Sequence, residues 1–424
     1  MKVVVLGSGL IGLTSAYFLQ ACGHEVIVLE RQEGAGRETS FANGTLLTPS
    51  MPEPWNAPGC WRMLLLSLGR SDAPLSLRLK ALPAIGGWGV RFLRESSSRR
   101  FESNTRKNMK LALYSLEVMA RLREQTAIEY GRTARGTLKI FRDPSALDRA
   151  VAATGALASG GLTFKPLTAR QTIELEPALA PIGKQLAGAL HSPKDETGDA
   201  YRFCSALAGH LREEGVEFRF GTAVTALEAR GGEITAVVTG RERVTADRYL
   251  VAAGSYSYPL LKGIGLSLPV RPAKGYSVTF DASPTEPPLR IPIVDDDFHA
   301  AIVPFAGGLR VAGTAEFAGY DLALRPERVA NLLTLLRQVL PQARFADGAA
   351  KPWCGLRPMS ADGVPIVGPA PLANLYVNTG HGHLGWTMAA GSGALLADLL
   401  SSVRPAIDPA PYALARFTAS VPAE

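Results

Sequence analysis

The hydrophobic pattern of the first thirty residues predicts a strand, a helix and a second strand in close succession. Lys2–Leu6 and Glu25–Leu29 are short apolar runs rich in β-branched residues, which is typical of buried parallel strands. Between them, a glycine-rich turn at residues 7–12 opens an apolar helical pattern that ends near Gly23. The second strand ends at an acid, Glu30, so the unit has the order of a dinucleotide-binding motif.

The three glycines of this turn are expected to have separate physical roles. Gly7 permits the tight turn, Gly9 lets the backbone approach a pyrophosphate, and Gly12 lets the helix pack on the strand. The helix N-terminus, which begins with Leu10 and Ile11, offers free N–H groups and a positive dipole to the phosphates. Glu30 is expected to accept hydrogen bonds from ribose hydroxyls, which argues against a 2′-phosphate, whereas the adjacent Arg31 favours one.

The rest of the pattern predicts two interleaved domains. Residues 216–220 and 248–255 indicate further buried strands, and residues 108–130 and 326–340 indicate helices. Alternating strand patterns separated by proline and glycine recur over residues 266–320. They predict a mostly antiparallel sheet. The fold class is therefore a Rossmann-like α/β domain with an interleaved α+β domain.

Several segments leave a choice between core and surface. Apolar runs at residues 61–66 and 79–93 contain interleaved basic residues, and we prefer core helices to an interfacial surface. Residues 174–179 are expected to form a surface turn. Residues 91–110 carry an excess of Arg and Lys over Glu. A solvated helix face is preferred there over contact with anionic lipids, and nucleic acid ranks last because no recognition motif is present.

Composition narrows the class of protein. The chain has 424 residues, 46% of them hydrophobic, and a formal net charge of +7, so it can build a sizeable core. Four cysteines lie far apart without a C-x-x-C pair or zinc-ligand spacing, which predicts a reducing, cytoplasmic compartment and no metal site. No stretch is long and uncharged enough to span a bilayer.

Later motifs connect these elements to a known group of proteins. Besides the N-terminal unit, they lie at residues 38–44 (ETSFANG), 197–199 (TGD), 251–255 (VAAGS), 274–277 (KGYS), 311–316 (VAGTAE), 353–359 (WCGLRPM) with 362–363 (DG), and 379–387 (TGHGHLGWT). With these motifs the chain resembles, nearly end to end, the FAD-dependent amine oxidoreductases that include D-amino acid oxidase, glycine oxidase and sarcosine oxidase. Within that group it most resembles the bacterial D-amino acid dehydrogenase family.

The resemblance implies a noncovalently bound FAD and a two-domain fold. The FAD-binding domain, of the glutathione-reductase type, is expected to comprise residues 1–60, 190–265 and 352–424, and helix 103–130 is expected to pack on it. The substrate-binding domain is expected to comprise residues 61–189 and 266–351.

The cofactor-binding residues fall into six groups along the chain. The last group opens a helix, and a helix start can stabilise negative charge on a reduced flavin. From the turn and from the resemblance, the expected FAD-binding residues are Gly7, Gly9, Leu10, Ile11, Gly12, Glu30, Arg31, Ser40, Asn43, Gly44, Val224, Ala253, Gly254, Gly382, His383, Leu384, Gly385 and Thr387.

Arg357 is the expected substrate ligand. In the proteins that the chain resembles, the arginine of the Gly-Leu-Arg-Pro segment binds the substrate carboxylate, and a planar guanidinium suits that role. The alternative is a structural ion pair, for instance with Asp362. Tyr276 is expected either to hydrogen-bond substrate or to cap the core. His299 is interpreted as a surface histidine of a hairpin, and the three aspartates at 295–297 as a solvated turn rather than a metal site.

Two other residues near the motifs receive structural interpretations. His381 is expected to be a satisfied structural histidine packed behind the flavin. Relatives of the sarcosine oxidase type attach their flavin to a cysteine near Cys354. Counted back from Asp362, Cys354 is one residue out of register with that cysteine, so we interpret it as a buried, inert thiol.

The resemblance also implies the reaction. Hydride leaves the α carbon of a D-amino acid for flavin N5, water hydrolyses the imino acid to a 2-oxo acid and ammonia, and electrons pass to a quinone rather than to oxygen. Peripheral contact with the cytoplasmic face of the inner membrane is expected with that acceptor. The alternatives are a dehydrogenase of cyclic imino acids (D-proline or cis-4-hydroxy-D-proline), an oxygen-using oxidase, and a noncatalytic flavoprotein.

Overall fold

The computed structural model describes residues 1–67, 75–305 and 307–417. Its strands are β1 (Lys2–Leu6), β2 (Glu25–Leu29), β3 (Leu46–Leu47), β4 (Leu75–Leu77), β5 (Thr137–Phe141), β6 (Lys165–Thr168), β7 (Gly188–Ser192), β8 (Glu196–Thr197), β9 (Glu217–Arg219), β10 (Val224–Arg230), β11 (Glu233–Thr239), β12 (Arg243–Val244), β13 (Arg248–Val251), β14 (Val270–Phe280), β15 (Ile293–Asp295), β16 (Ala300–Phe305), β17 (Gly308–Phe317), β18 (Lys351–Ser360), β19 (Ile366–Pro369) and β20 (Leu375–Thr379).

The helices, interspersed with short 3-10 turns, complete the described chain. They are α1 (Leu10–Ala21), α2 (Cys60–Leu66), α3 (Leu82–Arg94), α4 (Ser98–Thr126), α5 (Pro144–Ala158), α6 (Ala169–Leu175), α7 (Ala200–Glu213), α8 (Ser257–Lys262), α9 (Pro326–Val339) and α10 (Gly385–Leu400).

One sheet has the Rossmann-type arrangement that the N-terminal pattern predicts. Its strand order is β19-β20-β13-β1-β2-β9, and all neighbours pair in parallel except β19 with β20. Helices α1, α4, α7 and α10 cover one face through a shared apolar core. The β10-β11-β12 sheet packs on the opposite face. The predicted first strand, second strand and acid at the strand end are confirmed.

The second sheet is mostly antiparallel, as the alternating pattern over residues 266–320 predicts. Its order is β18-β14-β17-β16-β15-β5-β7-β6, and β4 pairs with β17. The pairs β15–β5 and β17–β4 are the parallel exceptions among the described strands. Helix α9 lies over this sheet and shares its apolar core. The expected domain limits stay a prediction, and residues 68–74, 306 and 418–424 of those ranges lie outside the described residues.

The helix predicted at 108–130 is longer at its start and shorter at its end. Helix α4 runs from Ser98 to Thr126. Its first half buries polar side chains, because the Asn104 amide donates to the carbonyl oxygen of Asp362 at 3.1 Å and the Asn108 amide to that of Gly363 at 3.0 Å. Buried asparagines interrupt the apolar stripe on which the sequence prediction depended.

The prediction of a surface turn at residues 174–179 is wrong. The Glu176 side chain is fully buried after α6, and its carboxylate accepts hydrogen bonds from the backbone N–H groups of Arg290 and Ile291, both at 2.8 Å. Ala178 and Leu179 are buried too. A buried glutamate of this kind cannot be told from a surface residue in the sequence, because the backbone groups that bind its carboxylate lie far away along the chain.

The two apolar runs for which the sequence favours core helices, residues 61–66 and 79–93, are divided between core and surface. Ile85, Trp88 and Phe92 of α3 are buried, which confirms that part of the prediction. Leu65 and Leu66 of α2 are exposed, so the core assignment is wrong for them. Within the described chain, no helix combines the length and apolar character needed to cross a bilayer.

Candidate active site

A cavity of about 590 Å³ is lined by residues from both large sheets. The strands of the parallel sheet contribute their carboxyl ends, at Leu6, Leu29 and Ala252. The antiparallel sheet contributes Gly275 and Arg357. A crevice outside the carboxyl ends of parallel strands is the usual position of a dinucleotide in an α/β fold.

The glycine turn has the geometry that a bound dinucleotide requires. Gly7 adopts φ +107°, which strains other residues. A Cβ on Gly12 would lie 2.0 Å from the carbonyl oxygen of Gly7, so Gly12 packs the helix on the turn and lies behind the cavity lining. Gly9 faces the cavity, and the Ser40 hydroxyl accepts a hydrogen bond from the Leu10 N–H at 3.2 Å.

The acidic end of β2 also faces the cavity. The Glu30 carboxylate accepts from the backbone N–H and the hydroxyl of Ser8, both at 2.9 Å, which fixes its orientation. Arg31 lies 3.8 Å over the Tyr256 ring and forms a 2.5 Å ion pair with Glu38. Because Glu38 neutralises Arg31, the arginine gives little support to a 2′-phosphate.

Most other expected cofactor residues line the same cavity. These lining residues are Ile11, Ser40, Asn43, Gly44, Val224, Ala253, Gly254, Gly382, His383 and Gly385. Leu384 and Thr387 are buried behind it, and the Thr387 hydroxyl accepts from the Thr48 N–H at 3.0 Å. Their expected contact with the flavin stays a prediction.

Two polar ring atoms at the start of α10 have no hydrogen-bond partner. They are Nδ1 of His381 and Nε1 of Trp386, and both side chains are buried in residues that line the cavity. His381 is therefore only half satisfied, through Ser392 at 3.0 Å. Unpaired buried polar atoms are costly, and a polar heterocycle such as the flavin of FAD is a fitting partner for them. The residues that line the cavity thus fit both the dinucleotide part and the flavin part of FAD.

Arg357 lies in the cavity as a charge without a carboxylate. No Asp or Glu of the described chain pairs with it, and Nη1 donates one hydrogen bond, to the carbonyl oxygen of Thr314 at 3.3 Å. Burial lowers the pKa of Arg357 to about 10, so the guanidinium is charged at neutral pH. The alternative of an ion pair with Asp362 is wrong, because Asp362 pairs with Arg416 at 2.7 Å.

Trp55, which belongs to no motif of the sequence, contacts both Arg357 and His383. The Arg357 guanidinium carbon is 5.3 Å from the Trp55 ring centroid. The His383 ring stacks on the indole, with centroids 5.4 Å apart and planes 16° apart. Desolvation first, and then the Arg357 charge, lower the pKa of His383 to about 4, so His383 is neutral at neutral pH.

The Tyr276 hydroxyl is directed into the protein. It donates to the Glu316 carboxylate at 2.8 Å, and Tyr276 and Glu316 are both almost fully buried. Glu316 also pairs with Arg78 and lies 3.7 Å from the Lys274 ammonium. Desolvation and hydrogen bonding to Glu316 raise the pKa of Tyr276. The ring lines the cavity while the hydroxyl belongs to a buried charge network.

The hairpin at residues 295–299 differs from the expected solvated turn. Asp295 is buried, pairs with Arg142 at 2.8 Å and accepts from the Phe298 N–H. His299 adopts φ +48° and is exposed toward the cavity, which it lines. The described residues contain no group of three or more His, Cys, Asp or Glu side chains arranged to hold a metal ion.

Cys354 lies beside the site and outside the cavity lining. Its thiol is hydrogen-bonded to the carbonyl oxygen of Leu322 at 3.1 Å, and desolvation raises its pKa. A protonated, enclosed thiol is a poor nucleophile. The structure therefore supports the interpretation of Cys354 as an inert thiol.

Comparison with known proteins agrees with this arrangement. The chain matches the family described as FAD dependent oxidoreductase over residues 2–399. It is 42% identical to the D-amino acid dehydrogenases of Paramagnetospirillum magneticum and Allorhizobium ampelinum, with 99% of each chain covered in both comparisons.

Solved structures show the same fold. Glycine oxidase from Geobacillus kaustophilus superposes with a TM-score of 0.76 and 25% identity over 98% of this chain and 99% of that one. L-proline dehydrogenase from P. horikoshii gives a TM-score of 0.77 at 18% identity, covering 98% and 97% of the two chains. The chain therefore belongs to the FAD-dependent oxidoreductase family.

Proposed function

We propose that this protein is a D-amino acid dehydrogenase that binds FAD noncovalently. It oxidises the Cα–N bond of a D-amino acid, and water hydrolyses the resulting imino acid to a 2-oxo acid and ammonia. The observation that carries the proposal is Arg357, a charged guanidinium without a carboxylate partner in the described chain, in the same cavity as the dinucleotide turn. The relatives at 42% identity support this substrate class.

Arg357 binds and orients the substrate carboxylate. A planar guanidinium offers two parallel N–H donors, which fix both the position and the rotation of a carboxylate. Bound FAD supplies the acceptor for the hydride that leaves the α carbon. The chain contributes by orientation, because holding the reacting atoms in register removes much of the entropic barrier.

Two titratable side chains that line the cavity, His383 and Tyr276, are poorly suited to act as a base. His383 is neutral with a pKa of about 4, and the raised pKa of Tyr276 keeps its hydroxyl protonated. Neither group removes a proton from an ammonium at neutral pH. The reaction needs no dedicated base when the substrate amine is bound in its neutral form.

Exposed apolar side chains on two helices support membrane contact and a quinone acceptor. Helices α2 and α3 expose large apolar side chains beside basic ones; those exposed above two-fifths are Trp61, Leu65, Leu66, Leu82, Val90 and Leu93. Arg62, Arg91 and Arg94 lie on the same helices. Apolar side chains with flanking arginines suit the headgroup region of an anionic bilayer. We propose that these two helices contact the cytoplasmic side of the inner membrane.

Turnover with D-alanine tests the substrate and the acceptor together. With a soluble quinone present, the proposal predicts stoichiometric 2-oxo acid and ammonia. It also predicts little hydrogen peroxide in air without quinone. Fast peroxide formation would contradict the dehydrogenase assignment and indicate an oxidase. Turnover confined to D-proline or cis-4-hydroxy-D-proline would move the substrate class to cyclic imino acids.

A further inference from the structure

We infer that Gly275 is a positioning residue that aims Arg357, and that the absence of a side chain at position 275 is part of the substrate site. The inference rests on the proposed role of Arg357 as the carboxylate ligand. The inference concerns the backbone on which the Arg357 side chain packs, and it does not require Gly275 to contact the substrate. Three observations around the guanidinium carry it.

The guanidinium lies directly on the backbone of Gly275. A Cβ built on Gly275 would lie 1.9 Å from Nη1, 2.2 Å from Cζ and 2.5 Å from Nη2 of Arg357. On the paired strand β18, Gly275 is opposite Gly355, and Arg357 is opposite Ala273, so the arginine folds diagonally across the strand pair. Any L side chain at 275 would occupy the volume that the guanidinium fills.

A bulge in the neighbouring strand directs an acceptor toward the same group. Tyr276 pairs with Gly313 and Gly275 with Ala315, so Thr314 is the extra residue of β17 at this point. Thr314 adopts φ +50°, and its carbonyl oxygen accepts the hydrogen bond from Nη1 of Arg357 at 3.3 Å. Bulges are known to re-aim groups beside active sites.

Trp55 provides a third contact of the guanidinium. Its ring centroid is 5.3 Å from the guanidinium carbon, within the range of a cation–π interaction. The Gly275 backbone, the Thr314 carbonyl and the Trp55 ring together form a clamp that restricts the orientation of the guanidinium. Its remaining N–H groups have no partner within the described chain, so they are free for a carboxylate.

The variant Gly275→Ala tests the inference. Gly275 has an ordinary φ, and the clashing atoms belong to the end of a flexible side chain, so we expect the protein to fold and keep FAD while Arg357 is displaced. KM for the D-amino acid should rise roughly tenfold or more, since a charged hydrogen bond is lost. The dissociation constant of the 2-oxo acid product, followed by the flavin spectrum, should rise in parallel. Gly209→Ala is the control, at an exposed helical glycine with open space around it.

A double-mutant cycle separates positioning from general damage. If Gly275 acts through Arg357, adding Gly275→Ala to Arg357→Ala should change KM by less than about twofold, because coupled residues are not additive. An unchanged KM in Gly275→Ala, or additive effects, would overturn the inference while leaving the proposed function intact. An unchanged KM in Arg357→Ala would overturn both.

A second variant applies if Gly275→Ala loses FAD. Trp55→Leu removes the aromatic part of the clamp, which belongs to a loop rather than to a strand. The clamp predicts a raised KM for this variant and no further rise in the Arg357→Ala background. Full additivity with Arg357→Ala would then overturn the inference.

Discussion

The carboxylate of Asp362 is bound by Arg416 through two hydrogen bonds, at 2.7 and 3.1 Å. Asp362 follows Arg357 closely in the sequence, yet its charge is satisfied by a residue from the end of the described chain. Both side chains are largely buried, at 7% and 14% exposure. Because Asp362 pairs with Arg416, the charge of Arg357 has no carboxylate partner within the described chain. Arg416 is therefore the structural arginine and Arg357 the functional one.

Arg416→Ala should destabilise the protein without affecting substrate binding. The variant leaves the Asp362 charge buried without its partner, which costs about 3 kcal/mol in the free energy of unfolding. Denaturant unfolding of the FAD-loaded protein measures that loss. KM for a D-amino acid should equal that of the parent protein, and a large rise in KM would contradict the assignment of Arg416 to structure alone.

Arg357→Ala should show the opposite behaviour. FAD retention and thermal stability should stay near those of the parent protein, because Arg357 forms no ion pair within the described chain. Transition-state stabilisation, measured by kcat/KM, should fall by about 2 kcal/mol or more, mainly through KM. Arg357→Lys should recover only part of it, since an ammonium lacks the planar pair of donors. Unchanged kinetics would remove Arg357 from the site.

Gly9→Val should abolish FAD binding. Gly9 faces the cavity, and a Cβ there would already lie 3.3 Å from the Ser40 hydroxyl, so a branched side chain would fill pyrophosphate space. Gly9→Ala is the graded comparison and should only weaken binding, because the Ser40 hydroxyl can move. Flavin absorbance per protein measures occupancy after purification, and a fully yellow Gly9→Val protein would refute this account of the turn.

The buried carboxyl group of Asp195 makes stability depend on pH. Desolvation raises its pKa to about 7, although the Ser50 and Thr137 hydroxyls donate to it. The unfolded value is 3.8, so the folded state binds the proton more tightly. The contribution of Asp195 to the free energy of unfolding is therefore fully present below pH 3.8 and is lost as the pH rises to about 7.

Asp195→Asn should remove this dependence. From pH 5 to pH 8 the parent protein should lose roughly 2 kcal/mol of unfolding free energy more than the variant does. Unfolding by denaturant at the two pH values gives both differences. Equal losses in the two proteins would show that Asp195 does not titrate in this range.

The N-terminal unit could be predicted because its signal is local. Strand, turn, helix and acid follow one another, and close backbone contacts require Gly7 beside Ala252 and Gly12 beside Gly7. The antiparallel sheet could be predicted because strand patterns recur between prolines and glycines over residues 266–320, although β14 and β17 are buried along almost their whole length.

Other features depend on contacts that sequence pattern does not encode. Helix α4 begins among buried asparagines whose partners lie more than two hundred residues away, at Asp362 and Gly363. Trp55 belongs to an irregular loop and becomes part of the site only through Arg357 and His383. These relationships arise from strand register and loop packing, which a periodicity cannot specify.

Anaerobic mixing of the FAD-loaded protein with single enantiomers tests the central claim most directly. The panel pairs D- and L-forms of alanine and other apolar amino acids and adds D-proline and cis-4-hydroxy-D-proline. The account predicts fast bleaching of the flavin absorbance by several acyclic D-amino acids, no bleaching by their L-forms, and severe slowing in Arg357→Ala at the same concentration. Bleaching by L-forms alone, or by no amino acid at all, would contradict it.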